Sequence, residues 1–311
     1  MRRNRQNKKK RKWLRIVLWT LLFLLLAGGV YAFTVYNSLS GALKNMHEGV
    51  DHVSDKRDGK VSLNEAEPFS ILLLGVDERK NDRGRSDTMI VMTVNQKEQS
   101  VNMLSIPRDT RTEIVGNGTV EKINHAYARG GVKMAMATVE NLLDIPIDHY
   151  IQVNMEGFVD IVDAVGGVTV MNDMDLHYKG THFPEGELSL DGENALIYSR
   201  IRKEDPRGDF GRQLRQKQVI SAIIDKGASV SSLWNFNNIF EAIGDNVKTS
   251  LTFDEMMDIQ KHYKKAAKTI NEYQFEEGTN EYIDNASYYI MSEEELAKYL
   301  KQLKNHLEII E

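Results

Sequence analysis

The feature that most constrains the fold is a run of twenty-one residues without a charged side chain, IVLWTLLFLLLAGGVYAFTVY at 16–36. A helix that crosses the hydrocarbon core of a membrane needs about 20 apolar residues, so this run is long enough to span it. The fifteen residues before the run contain nine Lys and Arg and no acid. Because basic flanks stay in the cytoplasm, the pattern predicts a cytoplasmic tail at 1–15, a transmembrane anchor at 16–36 and an extracellular remainder.

A cleaved signal peptide is the alternative interpretation of the same run. The run is longer than the apolar segment of about 7–15 residues in signal peptides, and no clear small-residue cleavage site follows it. Trp13 and Trp19 near one end, with Tyr31 and Tyr36 at the other, match the aromatic belts of membrane interfaces. The sequence therefore favours an uncleaved, single-pass anchor in the cell membrane.

The part of the chain beyond the anchor is acidic. Nine of the 40 Lys and Arg lie in the tail, which leaves 31 against 45 Asp and Glu, a formal net charge of −14. Such a charge argues against nucleic acid as a partner, and the basic tail is expected to contact anionic membrane lipid instead. The absence of cysteine excludes disulfides, thiol catalysis and cysteine-ligated zinc.

Residues 37–67 are polar and are expected to form a stalk or linker, and residues 68–311 are expected to form one domain. In that domain, apolar runs typical of strands alternate with segments typical of helices. The predicted strands are 69–77, 88–95, 100–107, 149–154, 168–172 and 286–291. The predicted helices are 131–143, 156–167, 191–201, 210–228, 252–268 and 292–310. This alternation predicts a layered α/β/α domain with a mixed central sheet, preceded by one transmembrane helix.

Arginine is segregated from lysine in the predicted domain. Ten of the twelve arginines after residue 15 fall in 75–88, 105–111 and 198–216, whereas residues 217–311 contain ten lysines and no arginine. The guanidinium group binds pairs of phosphate oxygens in a fixed geometry, while lysine acts as a point charge. The acids that lie among these arginines include Asp77, Asp87, Asp205 and Asp209. The segregation predicts a site that handles phosphate or pyrophosphate, with metal assistance from the acids.

Asp77 and Asp87 are the candidate metal ligands. Asp77 is the last residue of the first predicted strand, and the carboxyl ends of strands are where ligands bind in α/β sheets. Asp87 begins the next strand, and the intervening loop can fold back to bring the two carboxylates together. Two carboxylates, phosphate oxygens and waters make an octahedral Mg²⁺ site. The alternative is that Asp77 only pairs with Arg85 and that Asp87 only caps a strand.

The second and third arginine blocks supply further candidate cations. Arg108 ends a predicted strand and is expected at the same sheet edge, and Lys122 follows as a further cation. In the helix at 210–228, Arg212 lies one turn before Gln216 and is expected on the same face. Asp209 is expected to cap the start of this helix.

Arg200 and Arg202 can reach one ligand only if the preceding helix ends between them. Pro206 and Gly208 supply a break in the helical pattern. The alternative for the whole block is a structural network in which its arginines pair with Asp205 and Asp209.

Four segments that carry these residues resemble the LytR-CpsA-Psr family of cell-wall glycopolymer transferases. They are ILLLGVDERKNDRGRSDTMIVMTVN, NMLSIPRDTRTEI, KINHAYARGG and LDGENALIYSRIRKEDPRGDFGRQLRQKQVI. The segments are spread over residues 71–220 in the family's order and follow a single anchor with a basic tail. The resemblance therefore covers about half of the chain and is more specific than any single motif.

The resemblance implies a transferase of the wall teichoic acid branch. Its donor would be an anionic glycopolymer linked through pyrophosphate to a polyprenyl lipid, and its acceptor a sugar hydroxyl of peptidoglycan. A phosphodiester would form and polyprenyl phosphate would leave. The resemblance also implies a divalent ion, Mg²⁺ or Mn²⁺, on Asp77 and Asp87. The pyrophosphate is expected to contact seven polar side chains: Arg85, Arg108, Lys122, Arg200, Arg202, Arg212 and Gln216.

Arg202, Asp209 and Arg212 are the expected catalytic residues, because phosphoryl transfer needs charge neutralisation and in-line positioning more than covalent help. Asp209 either accepts the proton of the acceptor hydroxyl or only orients Arg212. The lipid tail needs an apolar channel, for which 134–143 and 158–167 are candidate walls unless their apolar stripes are ordinary core.

Two other functions stay open from the sequence. One is a polyprenyl-pyrophosphate hydrolase, in which water replaces the sugar hydroxyl. The other is a non-enzymatic, membrane-bound regulator or lipid-binding scaffold, although the short tail has no helix-turn-helix and is too small for a DNA-binding domain.

Overall fold

The computed structural model describes residues 54–77, 84–229 and 243–309, together with 46–50 and residues 34, 41 and 52. The predicted tail at 1–15 lies outside the described residues, and so does the predicted anchor at 16–36, apart from Thr34. Among the described residues, no helix combines the length and hydrophobicity that a membrane crossing requires.

The described residues form fourteen strands. They are β1 Phe69–Val76, β2 Ser86–Asn95, β3 Ser100–Ser105, β4 Arg111–Ile114, β5 Thr119–Lys122, β6 His149–Val153, β7 Val168–Asn172, β8 Leu176–Tyr178, β9 Thr181–Phe183, β10 Gly186–Leu190, β11 Val247–Thr249, β12 Thr269–Gln274, β13 Thr279–Ile283 and β14 Ala286–Ile290. The described α-helices are α1 His125–Leu143, α2 Met155–Ala164, α3 Gly192–Ser199, α4 Asp209–Ser229, α5 Phe253–His262 and α6 Glu293–His306.

Six strands form a central sheet in the order β11, β6, β1, β2, β3, β12. β1 pairs in parallel with β6 and antiparallel with β2, and β3 pairs in parallel with β12. Because successive strand residues point to opposite faces, Leu72 and Leu74 pack with α1 and α6, whereas Ile71 packs on the other face with α4 and α5. The predicted α/β class with a mixed central sheet is confirmed.

A smaller apolar core lies beside the central sheet. β7 pairs with β10 and β8 with β9, and these ribbons pack with α2, α3 and α4 around Val170, Phe183 and Tyr198. The strand predicted at 168–172 is confirmed, but it lies outside the central sheet. Helix α4 separates this core from the central one, because Val219 packs in the small core and Ile220 faces the sheet.

The described part of the predicted stalk contacts the domain. Met46 and Leu63 are buried, and His47 forms a β-bridge with Thr249. Arg57 Nε lies 3.1 Å from Asp148 Oδ1 in an ion pair. These contacts join the segment before β1 to both the sheet and the loop that leads into β6.

Candidate functional site

A β-bulge positions Asp87 at the carboxyl end of β1. Gly75 pairs with Thr88, but the next residue, Val76, pairs with Ser86, so Asp87 is the extra residue of β2. A bulge changes the direction of the side chain that it carries, and bulges are common beside active sites. Asp77 follows directly after β1, and its N–H donates to the carbonyl oxygen of Arg85 at 3.3 Å. This hydrogen bond places the backbone of Asp77 beside the start of β2, at the sheet edge that carries Asp87.

Asp87 and Asp209 hold three arginines in one cluster, which we call the open cluster: Asp87, Arg108, Arg202, Asp209 and Arg212. Arg108 Nη1 donates to Asp87 Oδ1 at 2.7 Å. Asp209 Oδ1 lies 2.7 Å from Arg212 Nη2 and 3.6 Å from Arg202 Nε. Three guanidinium groups thus share two carboxylates, so the cluster carries excess positive charge.

The pKa values of Arg108 and Arg212, the two more buried arginines of the open cluster, shift in opposite directions. Burial lowers the pKa of Arg212, Asp209 opposes this shift, and the smaller effects of Arg108 and Arg202 lower the pKa while that of Asp87 raises it. For Arg108, burial lowers the pKa, but the hydrogen bond to Asp87 and the negative charges of Asp87, Asp109 and Asp209 together raise it above its usual value. Nε of Arg108 and Nε of Arg212 are shielded from water and donate no hydrogen bond within the described residues. Buried donors without partners are costly, so an anion placed here would be strongly stabilised.

Lys122 lies beside the open cluster but is bound to another acid. Its Nζ donates to Asp109 Oδ1 at 2.7 Å and lies 5.9 Å from the centre of the Tyr288 ring. Asp109 follows Arg108, and Arg108 Nε is 3.8 Å from its carboxylate. The hairpin of β4 and β5 carries Lys122 to this place, and the sequence did not predict that hairpin.

The other three predicted ligands are Arg85, Arg200 and Gln216. Arg200 is the cap residue of α3, is exposed, and contacts Met155 Sδ at 3.2 Å. The helix therefore ends before Arg202, as the predicted break requires. Gln216 lies one turn after Arg212 on α4, and Arg85 is exposed between Asp77 and Asp87.

Asp209 is not the cap of α4 that we expected. The helix begins at Asp209 itself, after Gly208 in the left-handed region with φ 61°. Its carboxylate accepts a hydrogen bond from Gln213 Nε2 at 3.1 Å and forms an ion pair with Arg212. The carboxylate thus contacts side chains of the first turns of α4 and does not cap the backbone N–H groups of that helix.

Asp205 pairs with Arg215 instead, and we call these two residues the closed pair. Arg215 Nη1 donates to Asp205 Oδ2 at 2.6 Å, and its Nη2 donates to the carbonyl oxygen of Ile201. Arg207 bonds both Asp205 and Asp173. The Arg–Asp network that the sequence left as an alternative is therefore present at both acids: Asp205 pairs with Arg207 and Arg215 here, and Asp209 pairs with Arg202 and Arg212 in the open cluster.

Sequence reasoning missed two residues next to Arg108. Asp109 binds Lys122, and Asn124 is buried with its Oδ1 unpaired, while its N–H donates to the carbonyl oxygen of Arg108. Asp109 stands in the motif SIPRDTR, so the sequence contained that signal. The spacing of residues in KINHAYARGG contains no signal that would identify Asn124.

An apolar cavity of about 350 Å³ lies on the sheet face that α4 covers. Met92, Ile224 and Met256 are among its lining residues, which come from β1 to β3, β6, α4, α5 and the chain that follows α5. Arg212 and Ile224 are twelve residues apart on α4, or about 18 Å at 1.5 Å per residue. The candidate walls at 134–143 and 158–167 do not line this cavity, and their apolar residues pack into the cores.

The arrangement can bind a polyanion at the start of α4 and an apolar chain further along the same helix. The N-terminal end of a helix adds its own positive potential to that of the arginines. Two carboxylates at the neighbouring sheet edge supply hard oxygen ligands.

Comparison with known proteins gives the same family as the motifs. The LytR_cpsA_psr family model matches residues 32–305. The polyisoprenyl-teichoic acid--peptidoglycan teichoic acid transferase TagU of Bacillus subtilis (strain 168) is 49% identical over 306 residues, which are 98% of this chain and 99% of that protein.

Solved structures agree with the sequence comparison. The crystal structure of B. subtilis TagU is 48% identical with a TM-score of 0.64 and covers 79% of this chain and 99% of its own. The structure of TagT bound to LIIa-WTA is 32% identical with a TM-score of 0.73 and covers 85% and 100%. The chain belongs to the LytR_cpsA_psr family.

Proposed function

We propose that this protein transfers an anionic glycopolymer, wall teichoic acid, from a polyprenyl-pyrophosphate carrier to a sugar hydroxyl of peptidoglycan. The hydroxyl oxygen attacks the phosphorus next to the polymer, and a P–O bond forms. The P–O bond to the bridging oxygen breaks, and its electron pair leaves with polyprenyl phosphate. The proton of the hydroxyl passes to the medium or to the departing phosphate. The product is a phosphodiester between polymer and peptidoglycan.

One observation carries the proposal: the open cluster lies at the start of α4, which contributes Asp209 and Arg212, and the apolar cavity lies along the later part of the same helix. A lipid pyrophosphate has the same two parts, a compact polyanion and a long apolar chain. The TagU proteins, 49% identical to this chain, are named as teichoic acid transferases, which supports the same donor and acceptor here.

The arginines of the open cluster would stabilise the charge that develops on the bridging oxygen. Preorganised donors aimed at developing charge are typically the largest contribution to such a step. Asp209 Oδ1 forms an ion pair with Arg212 Nη2 at 2.7 Å but accepts no hydrogen bond within the described residues, and its Oδ2 accepts a hydrogen bond from Gln213 Nε2. These contacts support an orienting role for Asp209, with Arg85, Arg200 and Gln216 as outer contacts of the phosphates and Lys122 beside them.

Asp77 and Asp87 fit a divalent ion such as Mg²⁺ or Mn²⁺. Both offer carboxylate oxygens at one sheet edge, and no third acid or histidine of the described residues completes a protein cage around them. Mg²⁺ suits such a site, since it typically keeps several waters and takes substrate phosphate oxygens. When bound, the ion would neutralise phosphate charge and polarise the phosphorus–oxygen bonds.

The reaction needs the domain to meet a lipid-linked donor at the membrane. The basic tail at 1–15 and the uncharged run at 16–36 support a single-pass anchor with a cytoplasmic N-terminus and an extracellular domain. The acidic domain has no charge pattern for nucleic acid, so its partners would be the lipid donor, peptidoglycan and membrane lipid.

The test incubates the full chain with a labelled polyprenyl-pyrophosphate saccharide and uncrosslinked peptidoglycan, with Mg²⁺ and then with EDTA. We expect label on peptidoglycan only with the metal, and its loss in Asp77→Asn and Asp87→Asn. Arg129→Ala is the control, because Arg129 pairs with Glu121 away from the open cluster. Release of free saccharide phosphate would favour a hydrolase, and donor that is bound but not consumed would favour a scaffold.

A further inference from the structure

The hairpin of β8 and β9 carries three metal-ligating side chains that the proposed reaction does not use. Asp175, His177 and His182 offer a carboxylate oxygen and two ring nitrogens that all lie within 4.8 Å of one another. Nε2 of His182 is 2.6 Å from Oδ1 of Asp175, and the two imidazole rings stack with centroids 4.1 Å apart. Within the described residues, it is the one group of three or more such ligands this close together.

The backbone places these ligands on one face of the hairpin. His177 and His182 are direct register partners, and Asp175 lies two residues before His177, so all three point to the same side. The connecting residues Lys179 and Gly180 both have positive φ, 51° and 82°. Two positive φ values are the signature of the tight type I′ turn, whose twist matches paired strands. The register that brings the histidines together is therefore fixed by the turn.

The opposite face and the base of the hairpin are anchored in the domain. Leu176 and Phe183, the neighbouring register pair, are each 2% exposed and pack in the small core. The side-chain amide of Asn172 donates to the carbonyl oxygen of Phe183 at 3.0 Å, and Arg207 Nη2 donates to Asp173 at 3.0 Å. The ligand face is thus presented on a supported scaffold, as a metal site requires.

We propose that Asp175, His177 and His182 bind a divalent late transition-metal ion, with Zn²⁺ as the reference ion. Two imidazoles and one carboxylate suit Zn²⁺, Ni²⁺ and Cu²⁺, whereas Mg²⁺ prefers oxygen alone. Zinc bonds of about 2.1 Å in a tetrahedron place ligand atoms about 3.4 Å apart, so rotation of the present side chains suffices. The side chains are 63%, 72% and 50% exposed, so the remaining coordination position opens to solvent.

This site is separate in chemistry from Asp77 and Asp87, which offer only oxygen, and does not depend on the proposed transfer reaction. Binding would link His177 of β8 and His182 of β9 to Asp175, which precedes β8, so the ion would stabilise the hairpin in the folded state. An ion that binds the folded chain better than the unfolded chain raises the unfolding temperature.

The test is calorimetric titration of ZnCl₂ into the full-length, untagged chain in buffer free of phosphate and chelator. We expect one saturable ion per chain and a rise in Tm. His177→Ala and His182→Ala should each weaken binding by at least about tenfold and remove the rise in Tm. The control His262→Ala removes a histidine of α5 and should bind as wild type does.

Asp77→Asn with Asp87→Asn separates the two sites, because that double variant should keep the zinc component. Without zinc, the hairpin variants should unfold at the wild-type temperature, since the replaced rings are exposed. Saturable binding that is unchanged in both histidine variants, or no saturable binding in the wild type, would overturn the proposal.

Discussion

Arg215 with Asp205 and Arg212 with Asp209 are two arginine–aspartate pairs that have the same residue types but different surroundings. The partners are ten residues apart in the first pair and three apart in the second. In the closed pair, Arg215 and Asp205 are 1% and 0% exposed and are reached by no solvent. In the open cluster, Arg212 and Asp209 are 11% and 24% exposed and face further arginines. The closed pair and the open cluster therefore differ in solvent access and in charge balance, although both are built from arginine and aspartate.

The charge balance makes the contrast sharper. Around the closed pair, Arg207 and Arg215 meet Asp173 and Asp205, so two cations match two acids. The open cluster has three arginines for two acids, and with the neighbouring Lys122 and Asp109 it has four cations for three acids. The network around the closed pair is balanced in charge, and it is buried at Arg215 and Asp205 but partly exposed at Arg207 and Asp173. Such a network holds a loop in place, whereas an accessible excess of positive charge favours an anionic ligand.

The largest effect is expected from Arg215→Met. Asp205 would stay buried with Arg207 as its remaining cation, and breaking a buried pair costs about 3–5 kcal/mol of stability. Unfolding in urea, followed by circular dichroism, measures this loss. Adding Asp205→Asn should restore part of it, because the uncompensated charge is removed. A loss below about 1 kcal/mol would mean that the closed pair is not structural.

The matched change in the open cluster is Arg212→Met. Transfer should fall about 10²–10³-fold, the effect of removing one preorganised donor, or about 3–4 kcal/mol of barrier. The free energy of unfolding should change by no more than about 1 kcal/mol, since repulsion from Arg108 and Arg202 is relieved at the same time. Label transfer and urea unfolding on one preparation give both values. Equal losses of stability in Arg212→Met and Arg215→Met would erase the comparison.

The sequence predicted the parts of the fold that hydrophobic pattern controls. The continuous apolar run of β1 and the helical stripe of α4 gave both elements almost to the residue. β12, with sequence TINEYQ, was missed because it is a half-buried strand at the edge of the sheet and has little apolar pattern. The short hairpin of β4 and β5 was missed for the same reason.

The candidate site was predicted in composition but not in arrangement. Arginine segregation located the open cluster, yet Arg215 and Asp205 stand in the same block and are closed off by packing. The contact at Gly211 shows why the sequence alone could not distinguish the closed pair from the open cluster. The carboxylate of Asp205 packs so close to the backbone of α4 that any β-carbon at Gly211 would overlap it. Such a contact depends on how the loop folds back on α4, and local sequence does not encode that path.

Acid should weaken the closed pair within a defined window. Burial would raise the pKa of Asp205, but hydrogen bonds from Arg207 and Arg215 lower it to about 2. A lowered folded-state pKa contributes stability that is complete above about pH 4 and is lost as pH falls through about 2. The contribution is about 2 kcal/mol and should be absent from the pH profile of Asp205→Asn. Parallel profiles for wild type and variant over this window would contradict it.

The smallest effects are expected from lysine substitutions of Arg202 in the open cluster and of Arg207 beside the closed pair. Arg202→Lys keeps the charge of a side chain that is 48% exposed and 3.6 Å from Asp209, but it loses the planar fork. We expect kcat/KM for transfer to fall about tenfold, or about 1.4 kcal/mol, with stability unchanged.

Arg207→Lys is the reciprocal control, because it loses the paired bonds to Asp173 and Asp205 outside the open cluster. It should lower the free energy of unfolding by about 1–2 kcal/mol and leave kcat/KM at the wild-type value. Full activity in Arg202→Lys would remove Arg202 from the phosphate site. Reduced kcat/KM in a folded Arg207→Lys would show that the closed pair also positions the open cluster, since both act on the loop that precedes α4.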